Sequence, residues 1–192
     1  MVAHTAPTEA STAERLEQVA LELFSTHGYD EVTTEQIAEA AGVSARTFFR
    51  HFPTKLAVLI GDIDERTRAF VNLLHRQSQD LSVTDALIET IATDDEASPV
   101  TPADLIRSRL MRETPSLLDA IRTYEADFEA LLSEWIAQRT GRSADDFEVR
   151  VVAAAFVAAR RVVVEEWQRS EGSAPIVELA RQALSVVSAD FG

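Results

Sequence analysis

The chain has 192 residues, 46% of them apolar and 26% charged, an ordinary balance for a soluble globular protein with room for one or two small domains and a buried core. It contains no cysteine, which excludes disulfides, thiolate chemistry and cysteine-ligated metals. Its formal charge of −14 argues against a protein coated for bulk nucleic-acid binding, and no apolar run approaches the roughly 20 residues that a membrane helix needs.

The opening residues, MVAHTAPTEAST, are polar and lack the apolar core of a signal peptide, so a cytoplasmic location is expected. Residues 11–27 predict an amphipathic helix. Leu16, Val19, Ala20, Leu23 and Phe24 recur at i, i+3, i+4, i+7 and i+8. Gly28 ends this helix, and Tyr29 and Val32 anchor the connection onward.

The stretch from Thr33 to Lys55 carries the densest signals. Thr33 is a good N-cap and Gln36 follows at capping-box spacing. They open a helix over residues 34–41 whose Ile37, Ala38 and Ala41 share one face. Gly42 accepts a left-handed backbone and turns the chain, and Val43 plugs the turn. Ser44 caps a helix from Ala45 to about Phe52, which Pro53 closes. Two short helices joined by a glycine-bearing turn make a helix-turn-helix over residues 33–52. Phe48 and Phe52, four apart, are expected to pack inward. Ala45, Arg46, Thr47, Phe49, Arg50 and His51 are then left to face outward.

No acidic residue occurs between Glu39 and Asp62, while Arg46, Arg50 and Lys55 all do, with His51 beside them. By charge alone, this patch reads equally as ordinary surface and as a DNA contact. Residues 1–57 still carry a net charge of −4, so binding has to rest on a few well-placed contacts. It is expected to be weak for a lone chain and salt-sensitive, which is a reason to expect a dimer. The other histidines, His4, His27 and His75, lie nowhere near metal-ligand spacing of His51, and no metal site is expected.

A longer helix is expected from Thr54 or Lys55 to about Gln77, with no Gly/Ser/Pro-rich linker breaking it. Such a stiff joint lets a shift in the C-terminal region move the reading head. Val83–Thr93 predicts the next helix, and DDEASPVTP reads as a loop. A helix over 102–112 brings Arg107, Arg109 and Arg112 close together. They read first as a solvated face, with an anion site for a ligand carboxylate or phosphate as the functional alternative. A helix from Thr114 or Pro115 to Thr140 carries a long apolar stripe that includes Tyr124 and Phe128, and Gly141 ends it. Helices over 143–170 and 175–188 follow, the first alternating Val152, Phe156, Val163 and Trp167 with alanines that permit close approach. About nine helices are expected in all, with a boundary near residue 70.

IAEAAGVSARTFFRHFPTKLAVL, together with the preceding LELFSTHGYDEVTTEQIA, resembles the DNA-binding motif of the TetR/AcrR family of transcriptional regulators. The match runs without a gap over roughly residues 12–60, and the rest agrees in helical character. The resemblance implies an all-α protein, with a three-helix helix-turn-helix domain over residues 10–70 and a helical ligand-binding and dimerisation domain over 71–192. It places Thr33, Thr34, Ser44, Ala45, Arg46, Thr47, Phe49, Arg50, His51 and Lys55 at the DNA. Arg46 is early in the reading helix, where arginine can fork onto guanine. Thr47 suits a thymine methyl or a phosphate, and Arg50, His51 and Lys55 suit the DNA backbone. The hydroxyls of Thr33 and Thr34 face a phosphate, cap the helix, or both.

Two positions depart from the family pattern. Arg46 stands where many members have glycine. Phe49 stands where many have a tyrosine whose hydroxyl reaches a phosphate, so Phe49 is left to stack on sugar or to pack. The function implied is a ligand-responsive repressor, released by a small apolar effector and acting as a homodimer through the helices near 143–170 and 175–188. ARTFFRHFPTK is also similar to an actinobacterial-type subgroup that includes regulators responding to fatty-acyl-CoA. This implies an acyl chain along the helix of Tyr124 and Phe128, with phosphates near Arg107, Arg109 or Arg112. A flat aromatic compound is the rival effector.

No nucleophile elbow, phosphate loop or dinucleotide-binding glycine motif is present. No catalytic residue, cofactor or membrane partner is expected. The alternatives are a helical interaction module without DNA binding and a small helical enzyme that uses the cavity.

Overall fold

The computed structural model describes residues 11–60, 63–97 and 100–189. Regular structure among them is helical throughout, and the chain divides between residues 61 and 62 into two compact units.

The first unit holds α1 (Thr12–His27), α2 (Thr34–Ala40), α3 (Ala45–His51) and α4 (Lys55–Ile60). Serine and threonine caps set its helix starts. Ser11 and Glu14 form a reciprocal capping box at α1, as Thr33 and Gln36 do at α2, and the Ser44 hydroxyl accepts from the Thr47 amide at 3.1 Å. Between α2 and α3 the chain turns through a Schellman pair. The Val43 amide donates to the Ala38 carbonyl and the Gly42 amide to that of Glu39, both at 2.9 Å. Gly42 sits at φ +69°, left-handed as expected. Leu16, Ala20, Leu21 and Phe24 are buried on α1, which packs on α2, with Ile37 and Ala38 buried, and on α4, with Val58 and Leu59 buried, while α3 buries Phe48 and packs on α2. Leu21 lay off the expected stripe, yet it is buried, because α1 is covered on more than one side.

The second unit holds α5 (Ile63–Arg76), α6 (Val83–Ala97), α7 (Pro102–Glu113), a 3₁₀ turn (Pro115–Leu117), α8 (Leu118–Thr140), α9 (Phe147–Arg169) and α10 (Ile176–Ala189). α9 packs on α8 and α10, α10 on α6, and α5 on α6 and α8. The core joins Leu74, Leu87, Ile88, Phe128, Leu132, Trp135, Ile136, Ala153, Phe156 and Leu184. α7 has no fully buried residue. It is held by a capping box between Thr101 and Asp104, with Pro102 in its first turn. Burial pushes the Asp104 carboxyl up, but bonds from the Thr101 hydroxyl and amide, with Arg107 and Arg66 nearby, outweigh it and hold the group below the usual range.

Two elements differ from the expectation. The single helix expected from residue 54 to 77 is described as α4 and α5 on either side of residues 61 and 62, and its continuity there lies outside the described residues. Asp94, Asp95 and Glu96, expected in a loop, continue α6 to Ala97. Carboxylates oppose a helix C-terminus, but Asp94 is half-buried and feels the attraction of Arg66 against the burial that raises its pKa. α9 begins four residues later than expected because Ser143–Asp146 closes a turn, the Asp146 amide donating to the Ser143 carbonyl at 3.1 Å.

The Gly42→Ala variant keeps space for its methyl, since no atom lies within 4 Å of the added carbon, but strains the left-handed backbone. It should lose about 1–2 kcal/mol of stability, read as a lower unfolding midpoint in urea with an unchanged slope.

Candidate nucleic-acid interface and effector site

α3 shows one apolar and one polar face. Phe48 is fully buried and Phe52 half-buried, their rings 6.0 Å apart. Ser44, Arg46, Phe49, Arg50 and His51 are exposed, and Ala45 and Thr47 are half-buried. Neither Arg46 nor Arg50 has a carboxylate partner among the described residues. The outward face is therefore a short basic strip, free to meet an anion. The hydroxyls of Ser44 and Thr47 lie 2.9 Å apart and engage each other across the first turn.

Phe49 resolves into a specific posture. Its ring stands edge-on to Phe48, 5.3 Å between centroids, while half of its surface stays open to solvent. It both packs and offers an apolar plate. At the start of α2, Thr33 is exposed and Thr34 half-buried, and the Thr34 hydroxyl donates to Glu35 at 3.2 Å. Its own backbone amide and that hydroxyl hold the Glu35 carboxyl below the usual range. A carboxylate thus already occupies the helix end that an incoming phosphate would use.

Lys55 is placed differently from the other basic residues. Its Nζ donates to the carbonyls of Tyr29 at 2.7 Å and Val32 at 2.9 Å, reaches that of Asp30 at 3.4 Å, and lies 4.3 Å from the centre of the Tyr29 ring. An ammonium has three protons, and three carbonyls take them. The group expected at a phosphate clamps the α1–α2 connection to the start of α4.

The second unit disperses the three arginines of α7. Arg107 is mostly buried and pairs with Asp104 at 3.2 Å, Arg112 pairs with Glu113 at 3.5 Å, and Arg109 is exposed. Tyr124 and Phe128 stack on α8 with centroids 6.2 Å apart, and Phe70 of α5 tilts onto Phe128 at 5.8 Å. Over both α8 rings lies a cation that sequence reasoning passed by. The Arg160 guanidinium is 5.3 Å from the Tyr124 centroid and 5.4 Å from that of Phe128. The signal was present, because Arg160 interrupts the apolar spacing of Phe156, Val163 and Trp167 on α9. No cluster of three or more metal-ligating side chains occurs among the described residues.

Residues 18–60 match the model of the bacterial regulatory proteins of the tetR family, and residues 81–192 match that of the MftR C-terminal domain. The chain is 30% identical over 183 residues to a protein of Mycobacterium tuberculosis (strain ATCC 25618 / H37Rv) that carries the name mycofactocin biosynthesis transcriptional regulator MftR. That match covers 94% of this chain and 91% of the relative. The chain belongs to the TetR family.

A second relative, the HTH-type transcriptional regulator TcmR of Streptomyces glaucescens, is 37% identical over 81% of this chain and 73% of its own length. Among solved structures, the fold is shared with FadR of Bacillus subtilis in complex with stearoyl-CoA, at a TM-score of 0.62 and 17% identity, covering 90% of this chain and 96% of that one. It is also shared with FadR of Thermus thermophilus in complex with lauroyl-CoA, at 0.59 and 20% identity, covering 92% and 93%. As a TetR-family member the chain is a ligand-responsive, DNA-binding transcriptional regulator. No helix among the described residues is long and apolar enough to cross a membrane.

Lys55 and Arg50 should separate cleanly on substitution. Lys55→Met strands three carbonyls and should cost about 2 kcal/mol of stability, with little change in the salt dependence of DNA binding at temperatures where the head stays folded. Arg50→Ala should leave the melting temperature nearly unchanged and make the slope of log K against log salt shallower by about 0.9 for each phosphate no longer neutralised. Thermal melts and binding titrations at several salt concentrations check both.

Proposed function

We propose that this TetR-family chain is a repressor that binds a near-palindromic operator as a homodimer and leaves it when an amphipathic effector occupies the second unit. The observation that carries the DNA half is the polar face of α3, where Arg46 and Arg50 stand exposed without a carboxylate partner among the described residues, on a helix fixed by Phe48. Arg46, in the first turn, reads base edges, with Thr47 and Ala45 beside it. Arg50, His51 and Ser44 set the register on phosphates, Thr33 caps α2 while Thr34 bonds Glu35, and Phe49 lays its open face on a sugar. Lys55 supports this surface from behind.

An unpartnered apolar stripe supports the homodimer. Phe147 is 79% exposed, Val151 39% and Val162 55%, all on one side of α9, and Val186 of α10 is 65% exposed. A lone chain leaves that stripe in water, and a second copy related by a twofold axis covers it. Two copies place two reading helices about 34–36 Å apart, or a multiple of that, in successive major grooves. An effector that prefers the released state by about 10⁴-fold swings the balance fully. The acyl-CoA ligands of the two FadR neighbours support an amphipathic effector. So does the aromatic surface of Tyr124, Phe128 and Phe70. The paired states of Arg107 and Arg112 leave Arg109 as the open cation of α7 for a phosphate.

Sequencing of genomic fragments retained by the purified protein at two salt concentrations tests the proposal. One enriched palindrome is expected, and no enrichment at either salt would remove the DNA-reading role. Val162→Asp should turn the dimer into a monomer by light scattering and weaken operator binding by two orders of magnitude or more. A variant that stays dimeric would move the interface elsewhere.

A further inference from the structure

The first unit carries a second open surface. Leu23 and His27 of α1, Glu31 and Val32 of the connection, and Glu39 and Ala40 of α2 line an open groove of about 370 Å³. Its apolar lining is Val32, which is buried, Leu23, which is half-buried, and Ala40. Its charged lining is Glu31 and Glu39, both exposed and neither with a cationic partner among the described residues. No lysine or arginine lines the groove, and no residue of α3 does.

α3 presents the opposite chemistry. Arg46, Phe49 and Arg50 stand at i, i+3 and i+4, which puts them on one helix face. Phe49 is 50% exposed, and both arginines are exposed without a carboxylate partner among the described residues. An aromatic ring flanked by two cations matches an apolar lining flanked by two carboxylates. Both surfaces are open at once in a single chain, so the match can be met only between copies. The formal charge of −14 opposes the approach of two copies. That repulsion is screened beyond about 8–10 Å at ordinary ionic strength, while the matched charges meet at contact.

We infer that, without DNA, the α3 face of one copy docks into the α1–α2 groove of another. Phe49 packs on Leu23, Val32 and Ala40, and Arg46 and Arg50 meet Glu31 and Glu39. The contact joins two different surfaces, so it runs head to tail and leaves a free groove at one end and a free α3 at the other. It shelters the reading helix, and DNA competes for the same arginines. Surplus protein is thereby held off non-specific DNA. The contact itself needs no DNA and stands apart from the DNA-reading proposal; its regulatory effect rests on that reading.

Sedimentation of the full-length protein at low salt, from micromolar to submillimolar concentration, tests the contact. Species larger than the α9-mediated dimer should grow with concentration and shrink as salt is added. Association should persist in Val162→Asp, which separates this contact from the α9 interface. Reversing either surface, by Glu31→Arg with Glu39→Arg or by Arg46→Glu with Arg50→Glu, should weaken the association about tenfold or more while the melting temperature stays nearly unchanged. An equimolar mixture of the two reversed proteins should associate again, because each then meets opposite charge at both faces. The absence of larger species, their persistence in Glu31→Arg with Glu39→Arg, their loss in Val162→Asp, or a mixture that stays apart would each overturn the inference. So would a peptide of the α3 sequence ARTFFRH that binds the groove of a protein showing no self-association, which would give the groove to a different basic partner. Operator duplex should dissolve the assemblies, and assemblies that withstand saturating operator would show that α3 is not inside them. If no operator is recovered, the charge reversals still decide the contact.

Discussion

Helices of seven residues do not hold themselves in water, and the first unit depends on that constraint. α2 and α3 exist because something outside each one holds it. Side-chain oxygens satisfy their first amides, α2 buries Ile37 and packs on α1, α3 buries Phe48 and packs on α2, and the Lys55 ammonium gathers three carbonyls of the preceding connection. A charge so used lets a thirty-residue span fold without a glycine-rich or disulfide-linked staple. It also removes that charge from the surface.

α9 serves the second unit in a comparable way, with different chemistry on its two sides. Inward, Val149, Ala153, Phe156, Val163 and Trp167 are buried, and Arg160 lies over the rings of Tyr124 and Phe128. Outward, Phe147, Val151 and Val162 leave an apolar strip in solvent. One helix therefore carries both core contacts with its neighbours and an exposed apolar strip.

The helix-turn-helix was legible in the sequence because local rules dictate it. Thr33 and Gln36 were expected as a capping box and are one, and Gly42 was expected to be left-handed and is. The all-helical fold followed from periodicity for the same reason. The use of Lys55 was not legible, because its partners are carbonyls 23 to 26 residues earlier in the chain, and carbonyls have no residue-type signature. The end of α6 failed for a related reason. Asp94, Asp95 and Glu96 oppose a helix end locally, and the compensating Arg66 comes from another helix. Arg160 was visible as a charge on an apolar face, but only its place above two rings of α8 gave it meaning.

With Lys55 turned inward, the outward face of α3 keeps two exposed arginines in place of the three cations that the sequence suggests, on a unit whose overall charge is negative. A surface with fewer cations displaces fewer condensed ions from a duplex. The protein's grip on DNA should still weaken as the potassium content of its surroundings rises, but less steeply than three phosphate-bound cations per copy would make it.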